Sequence, residues 1–243
     1  MSNATLTVFS NFFIDDQETL LRMQDSFISF KGINAEKWVI NIRGKFKLDA
    51  YSFLRMHLQE KLDATVFESG KGWFHDSKNL LSKIKSEFVF YWVEDHINMI
   101  DVSLYSDILN EMKDNKCEHL LYSSYLNGDY HEHMFKGIKK HDSKCIKYAD
   151  LTKEINIKHR LKHDYFIISL IGFFSYDLFL KIINNPDYRG SPKEKPHDFE
   201  KDKNDQKWLP IRYAIPKFEL FASIDDSRGK EGYSLQERGL YPI

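Results

Sequence analysis

Several signatures of familiar enzyme chemistry are missing from this chain. It has no G-x-S-x-G elbow, no G-x-x-x-x-G-K-[ST] loop and no G-x-G-x-x-G turn, which argues against hydrolase, ATPase and dehydrogenase readings. Cysteine is scarce. Cys117 and Cys145 stand alone without metal-type spacing, so reduced thiols are expected rather than a disulfide. Neither sign of charge is in excess: 35 Lys and Arg face 36 Asp and Glu, and no global field draws nucleic acid. No apolar run is long enough to cross a bilayer. The longest, Tyr165 to Phe174 ("YFIISLIGFF"), is followed closely by Asp177. "MSNATLTVFS" lacks a basic region ahead of an apolar core, so no signal peptide is expected. No internal repeat is visible. The expected location is cytoplasmic, and the positive run "KHRLKH" (Lys158 to His163) leaves room for peripheral contact with the inner membrane face.

What is present reads as a soluble globular chain of 243 residues, 42% hydrophobic and 29% charged, with 15% aromatics. The first hundred residues alternate strand and helix signals. Strands are expected at Leu6 to Phe13, Lys37 to Gly44, Asp63 to Gly70 and Glu87 to Val93. Between them lie helical stripes: Leu20, Met23 and Phe27 behind a capping box at Asp15 and Glu18; Tyr51, Leu54, Leu58 and Leu62; and Leu80, Leu81 and Ile84 behind a cap at Asp76 or Ser77. This βαβαβαβ order predicts an α/β fold with a mainly parallel, Rossmann-like sheet flanked by helices. The fourth strand is apolar on both faces and belongs at the centre. Beyond it the pattern loosens. A helix is expected over 101–113, strands at "HLLYSSY" and "KCIKYADL", a helix at "YDLFLKIIN", a charged proline-rich loop over 184–207, and strand character in the tail. One domain is expected over 1–243, with a nucleotide-type half (1–100) and a more irregular second half (101–243).

The fourth strand ends in an unusual way: "FYWVEDH" runs from four large apolar residues into Glu94, Asp95 and His96. In an open parallel sheet, ligands bind beyond the carboxyl ends of the strands. Carboxylates desolvated there are costly unless paired or metal-bound. Oxygen ligands suit Mg²⁺ or Mn²⁺, and an imidazole tilts the choice to Mn²⁺. The alternative is a surface acidic turn.

"LLSKIKSEFVFYWVEDH" resembles the segment of family-2-like GT-A-fold glycosyltransferases in which an amphipathic helix leads into an apolar strand ending in a D-x-D-type motif. "LTVFSNFF" is similar to the family's first strand, whose end touches the nucleotide base. "GFFSYDLFLKII" (Gly172 to Ile183) is similar to its acceptor-side strand and helix. The match covers the first hundred residues well and the next eighty loosely. It implies transfer of a hexosyl-type sugar from a nucleotide-diphosphate donor to a glycan or lipid-linked acceptor, assisted by Mn²⁺ or Mg²⁺. With the Lys/Asn/Ile-rich composition it points to bacterial surface polysaccharide. The family has Asp first and third in its motif; here Asp95 is the first choice of ligand, Glu94 the second and His96 the third. A metal-independent enzyme binding sugar hydroxyls through these groups is the alternative.

The resemblance places a proton-accepting carboxylate after the acceptor-side helix, where "PHDFEKD" offers Asp198 and Glu200. "SIDDSR", with Asp225 and Asp226, is the second choice. For the donor, Ser10 and Asn11 close the first strand, Arg43 can clamp phosphate at the second, Glu68 can take a base or ribose hydroxyl after the third, and Trp73, near His75, can stack. Arg228, Lys230 and Arg238 would meet phosphate if the tail folds over the donor. "HEH" (His131 to His133) with His141 suggests zinc but lacks a clear third ligand, and polar loop histidines are the favoured reading. A non-catalytic carbohydrate- or nucleotide-binding module on the same scaffold is the second function class, and a partner-binding protein with an aromatic interface the third. The sequence leaves oligomeric state open.

Overall fold

The computed structural model describes residues 3–67, 72–121, 138–160, 171–184, 208–226 and 232–242. The calls on Glu68, His131 to His133, Asp198, Glu200, Arg228 and Lys230 lie outside the described residues.

Strand β1 (Leu6–Phe13) leads into helix α1 (Gln17–Phe30), β2 (Lys37–Arg43), α2 (Lys47–Leu58), β3 (Leu62–Val66), the short α3 (Trp73–Lys78) and β4 (Phe88–Tyr91). These four strands form the parallel half of a nine-stranded sheet ordered β3-β2-β1-β4-β9-β6-β10-β8-β7. The remaining strands are β6 (His119–Leu121), β7 (His141–Asp142), β8 (Ile146–Leu151), β9 (Gly172–Ser175) and β10 (Ile211–Pro216). β9 pairs antiparallel with both β4 and β6, and β8 pairs antiparallel with β10 and β7. A second, two-stranded sheet joins β5 (His96–Asn98) to β11 (Phe221–Ser223). Helices α4 (Leu104–Asp114), α5 (Lys153–Arg160) and α6 (Tyr176–Asn184) complete the set. This is the expected α/β class, a Rossmann-like sheet flanked by helices, with antiparallel pairings beyond β4.

The core explains the strand sequences. β4 is buried on both faces, as its double apolar pattern requires. Phe90 stacks on Phe173 at 4.6 Å, while Tyr91 on the opposite face meets Trp73 edge-on at 5.4 Å. Trp92, just past the strand, sits edge-on to Phe12 and Trp38 and is fully buried.

Three local expectations shift. The cap of α1 is Asp16, not Asp15: its carboxylate accepts from the Thr19 amide at 2.7 Å. The stripe on α2 stops at Leu58, because Gln59 takes a positive φ of 50°; Leu62 instead opens β3. The third helix begins at Trp73, so Asp76 and Ser77 lie inside it, and both are buried. A three-residue 3-10 turn, Leu81–Lys83, follows where a longer helix was expected.

No described helix is long and apolar enough to cross a membrane. The apolar run at Tyr165 is described only from Ile171, where its end forms β9. Both cysteines are free and buried, and burial pushes the Cys117 thiol up to about 12.

Candidate functional site

Two clusters gather at the carboxyl ends of the parallel strands. The first begins at the ends of β1 and β2, where Asn11 pairs in register with Asn41 and Phe13 with Arg43. Alternation along the strands puts these four side chains on one face. Asn11 Nδ2 donates to the Trp73 carbonyl at 3.0 Å and to Ser77 Oγ at 3.1 Å. Asn41 Nδ2 donates to the Asp76 carbonyl at 3.2 Å. Arg43 Nη1 lies 3.6 Å from Asp76 Oδ2, and its guanidinium stands 5.9 Å from the centre of the Phe13 ring. Phe13 is 58% exposed, the open aromatic at this edge. The strand ends are laced together: Ile14 N donates to the Arg43 carbonyl at 2.8 Å and Phe46 N to the Ile14 carbonyl at 3.0 Å. Gly44 makes that approach possible. Its φ is 99°, and a Cβ there would come within 2.3 Å of the Ile14 oxygen.

The second cluster is the loop that ends β4. Trp92 N donates to the Phe9 carbonyl at 2.9 Å, and Ser10 Oγ donates to the Trp92 carbonyl at 2.8 Å. Trp92 Nε1 donates to Ser26 Oγ at 2.8 Å, and that hydroxyl donates to the His96 carbonyl. Ile224 N donates to the Asp95 carbonyl at 2.7 Å. Strand β1, helix α1 and the segment after β11 therefore hold the acidic turn from three sides. Asp95 Oδ1 lies 2.6 Å from His96 Nδ1. Arg22 on α1 bonds Glu18 and, at 2.7 Å, Asp225 beyond β11.

Charge interactions follow from this packing. Burial first, and then the Asp95 charge, push Glu94 up to about 7; Arg22 opposes them. Burial also works against ionisation of Asp95, but the neighbouring His96 outweighs it and holds that carboxyl below the usual range. Burial disfavours the Arg22 charge as well, and the Asp225 and Glu18 carboxylates more than compensate.

Asn11, Arg43 and Trp73 thus come together, while Ser10 faces the other way, into the acidic loop. The roles differ from expectation at several positions. Trp73 is only 2% exposed, packed against Phe9, Phe74 and Tyr91, so it is placed as core rather than as an open stacking surface. Ser10 is buried, with its hydroxyl committed to Trp92. His96 is buried edge-on to Phe221 with Nδ1 facing Asp95, and at 3% exposure it supports that carboxylate from within the core rather than standing open as a third metal ligand. Arg238 makes a two-pronged pair with Glu219, at 2.8 and 3.1 Å, and anchors the tail instead of reaching outward. His141 stacks on Tyr148.

Sequence reasoning passed over Asp76 as a cap, and over Arg22, Ser26, Asn41 and Phe13 altogether. Asn41 carried a signal: an amide within an otherwise apolar strand needs a partner once buried.

The divalent cation that the resemblance implies fits part of this site. Glu94 and Asp95 offer two carboxylates on one turn, and the raised Glu94 pKa reflects burial first and the Asp95 charge second. His96 does not fit, and Arg22 already supplies one positive charge. Among the described residues, no three His, Cys, Asp or Glu side chains converge on a metal position.

The fold is shared with solved structures. The chain is similar to S. aureus TarS, with a TM-score of 0.56 at 12% identity over 94% of this chain and 38% of that one. It matches the 1–349 form of TarS in complex with UDP-GlcNAc (TM-score 0.56, 12% identity, 89% of this chain and 57% of that one). The complex of the same form with UDP matches equally (TM-score 0.56, 11% identity, 94% and 63%). The chain therefore spans less than two thirds of the structures it matches. No protein-family model matches it, and no curated protein is similar to it in sequence.

Proposed function

We propose that the chain is a glycosyltransferase that moves a sugar from a nucleoside-diphosphate donor to a glycan or related acceptor. One observation carries the reading: an acidic turn closes the central strand of a fold shared with structures that hold UDP-GlcNAc and UDP. At the adjoining strand ends, Arg43 is a largely buried guanidinium whose Nε has no hydrogen-bond partner, a cation suited to phosphate. Phe13, rather than Trp73, is the exposed ring available for stacking.

In the transfer, a bond forms between the acceptor oxygen and the anomeric carbon as the bond from that carbon to the diphosphate breaks. The diphosphate leaves with the electron pair, and the acceptor's proton passes to Asp198 or Glu200. Glu94 and Asp95 would hold Mn²⁺ or Mg²⁺, which when bound supplies Lewis-acid stabilisation of the leaving diphosphate. His96 fixes the orientation of Asp95. Arg43 orients the donor, and pre-alignment lowers the entropic part of the barrier. Asp225 is a weaker candidate for the base, because its carboxylate is already engaged by Arg22 at 2.7 Å. A bacterial surface glycan, growing at the inner membrane face, is the acceptor this reading favours.

The test is calorimetry with UDP and UDP-GlcNAc, with and without Mn²⁺. Binding of either donor ligand, strengthened by Mn²⁺ in the native chain and not in Asp95→Asn, supports the reading. Donor binding without sugar transfer or donor hydrolysis would favour the binding-module alternative. An Asp95→Asn variant with undiminished Mn²⁺ dependence would displace the metal from this turn.

A further inference from the structure

Helix α3 has six residues, too few to be stable by itself. A polar seam fixes it to the sheet: Asn11 reaches the Trp73 carbonyl and Ser77, Asn41 reaches the Asp76 carbonyl, and Arg43 faces the Asp76 carboxylate. The seam is deeply buried, with the Arg43 and Asp76 side chains 16% and 6% exposed. It is also short of hydrogen bonds. Asn11 Oδ1, Asn41 Oδ1, Arg43 Nε and Trp73 Nε1 have no hydrogen-bond partner. At 3.6 Å the Arg43–Asp76 contact is an ion pair, longer than a hydrogen bond. A guanidinium left in that condition is costly, and an arriving anion would complete it.

We propose that Asp76 is a positioning residue: it holds the Arg43 guanidinium by charge at the carboxyl edge of β2, leaving its N–H donors for the diphosphate of the donor. Three features of the seam argue for this role. Asp76 is the more deeply buried of the two, 6% exposed against 16% for Arg43, so the cation is held by its covered partner. His75 Nδ1, 3.3 Å from Asp76 Oδ1, steadies the other carboxylate oxygen. The Phe13 ring limits where the guanidinium can swing. The inference rests on the donor reading above, and it adds a residue that touches no ligand.

Calorimetry with UDP and with uridine, on the native chain and its variants, separates positioning from mere support. Asp76→Asn keeps the shape and removes the charge. It is expected to weaken UDP about tenfold, the scale of a hydrogen bond to a charged group, and to leave uridine unchanged. Asp76→Glu restores part of the loss. Arg43→Gln costs the same UDP-over-uridine preference, and costs nothing further in the Asp76→Asn background. Equal weakening of both ligands, unchanged UDP binding, or tighter UDP binding in Asp76→Asn would overturn the proposal. If Asp76→Asn does not fold, Arg43→Gln decides: an undiminished preference for UDP sinks the idea. A native chain that binds no UDP removes the donor reading and this one together, whereas UDP binding indifferent to Asp76 removes this one alone.

Discussion

The two clusters at the sheet's carboxyl edge treat charge in opposite ways. Around Arg43 and Asp76, a cation and an anion are buried side by side, and Arg43 Nε has no hydrogen-bond partner. Around Arg22, a cation about as covered as Arg43 is shared among four carboxylates, of which Glu18 and Asp225 reach solvent while Glu94 is buried, in a dense net of hydrogen bonds. A buried ion pair is little screened by salt; a cluster whose carboxylates reach solvent is soft to salt and pH. The first suits holding a fixed phosphate contact. The second suits a site whose charge changes as a ligand arrives and leaves.

The sharpest way to break the first region is at Gly44. Gly44→Val places a side chain against the Ile14 carbonyl in a left-handed backbone, and should cost about 3 kcal/mol or more in urea unfolding. A loss below about 1 kcal/mol, the level of an ordinary substitution, would mean that the lacing of β1 to β2 does not depend on this turn. The second region has its own weak point at Ser26, whose hydroxyl serves both the Trp92 indole and the His96 carbonyl. Ser26→Ala leaves two buried polar groups unmatched and should cost about 2 kcal/mol. It should also loosen the acidic turn, seen as a change in Trp92 fluorescence. Unchanged stability and emission would show that the turn is held by its other bonds.

The parallel half was legible because its signals are local and agree with one another. β1, β2 and β4 are apolar runs, α1 carries a periodic stripe, and connections are short. The β5–β11 sheet was not legible. "HIN" and "FAS" are three residues each, and only their pairing across the chain makes them strands. The site divides in the same way. Arg43 and Asp95 stand out as charges at strand ends, where ligands bind. Asp76 looks like a helix cap until the helix start is known. Arg22 looks like a helix-surface residue, since Asp225 lies 203 positions away. Trp73 misled for a related reason: beside a glycine-rich loop it suggested an open aromatic, and the packing of Phe9 and Tyr91 over it is a long-range fact.

The contrast also predicts a pH dependence that belongs to the second region alone. Glu94 has its native pKa raised to about 7 from an ordinary value of 4.5. Between those values the folded chain keeps a proton that the unfolded chain releases, so this residue's contribution to stability falls as pH rises from 4.5 towards 7. Glu94→Gln should flatten that slope in unfolding measured across the window. A slope that persists unchanged in the variant would assign it to other groups.

Arg22 gives the smallest and most specific effect. Its charge opposes the upward push on Glu94 from burial and from Asp95. Arg22→Gln should therefore move the Glu94 transition to higher pH, and only a little, because Arg22 is the weakest of the influences on that carboxyl. The readout is the native-state titration of the Glu94 side-chain carbonyl by isotope-edited spectroscopy, compared at low and high salt. The Arg22 effect should shrink with salt, since the cluster reaches solvent. A transition that moves down, or a salt dependence that is the same in both proteins, would mean that Arg22 does not act on the acidic turn, and the distinction between a little-screened and a soft edge would fail on the soft side.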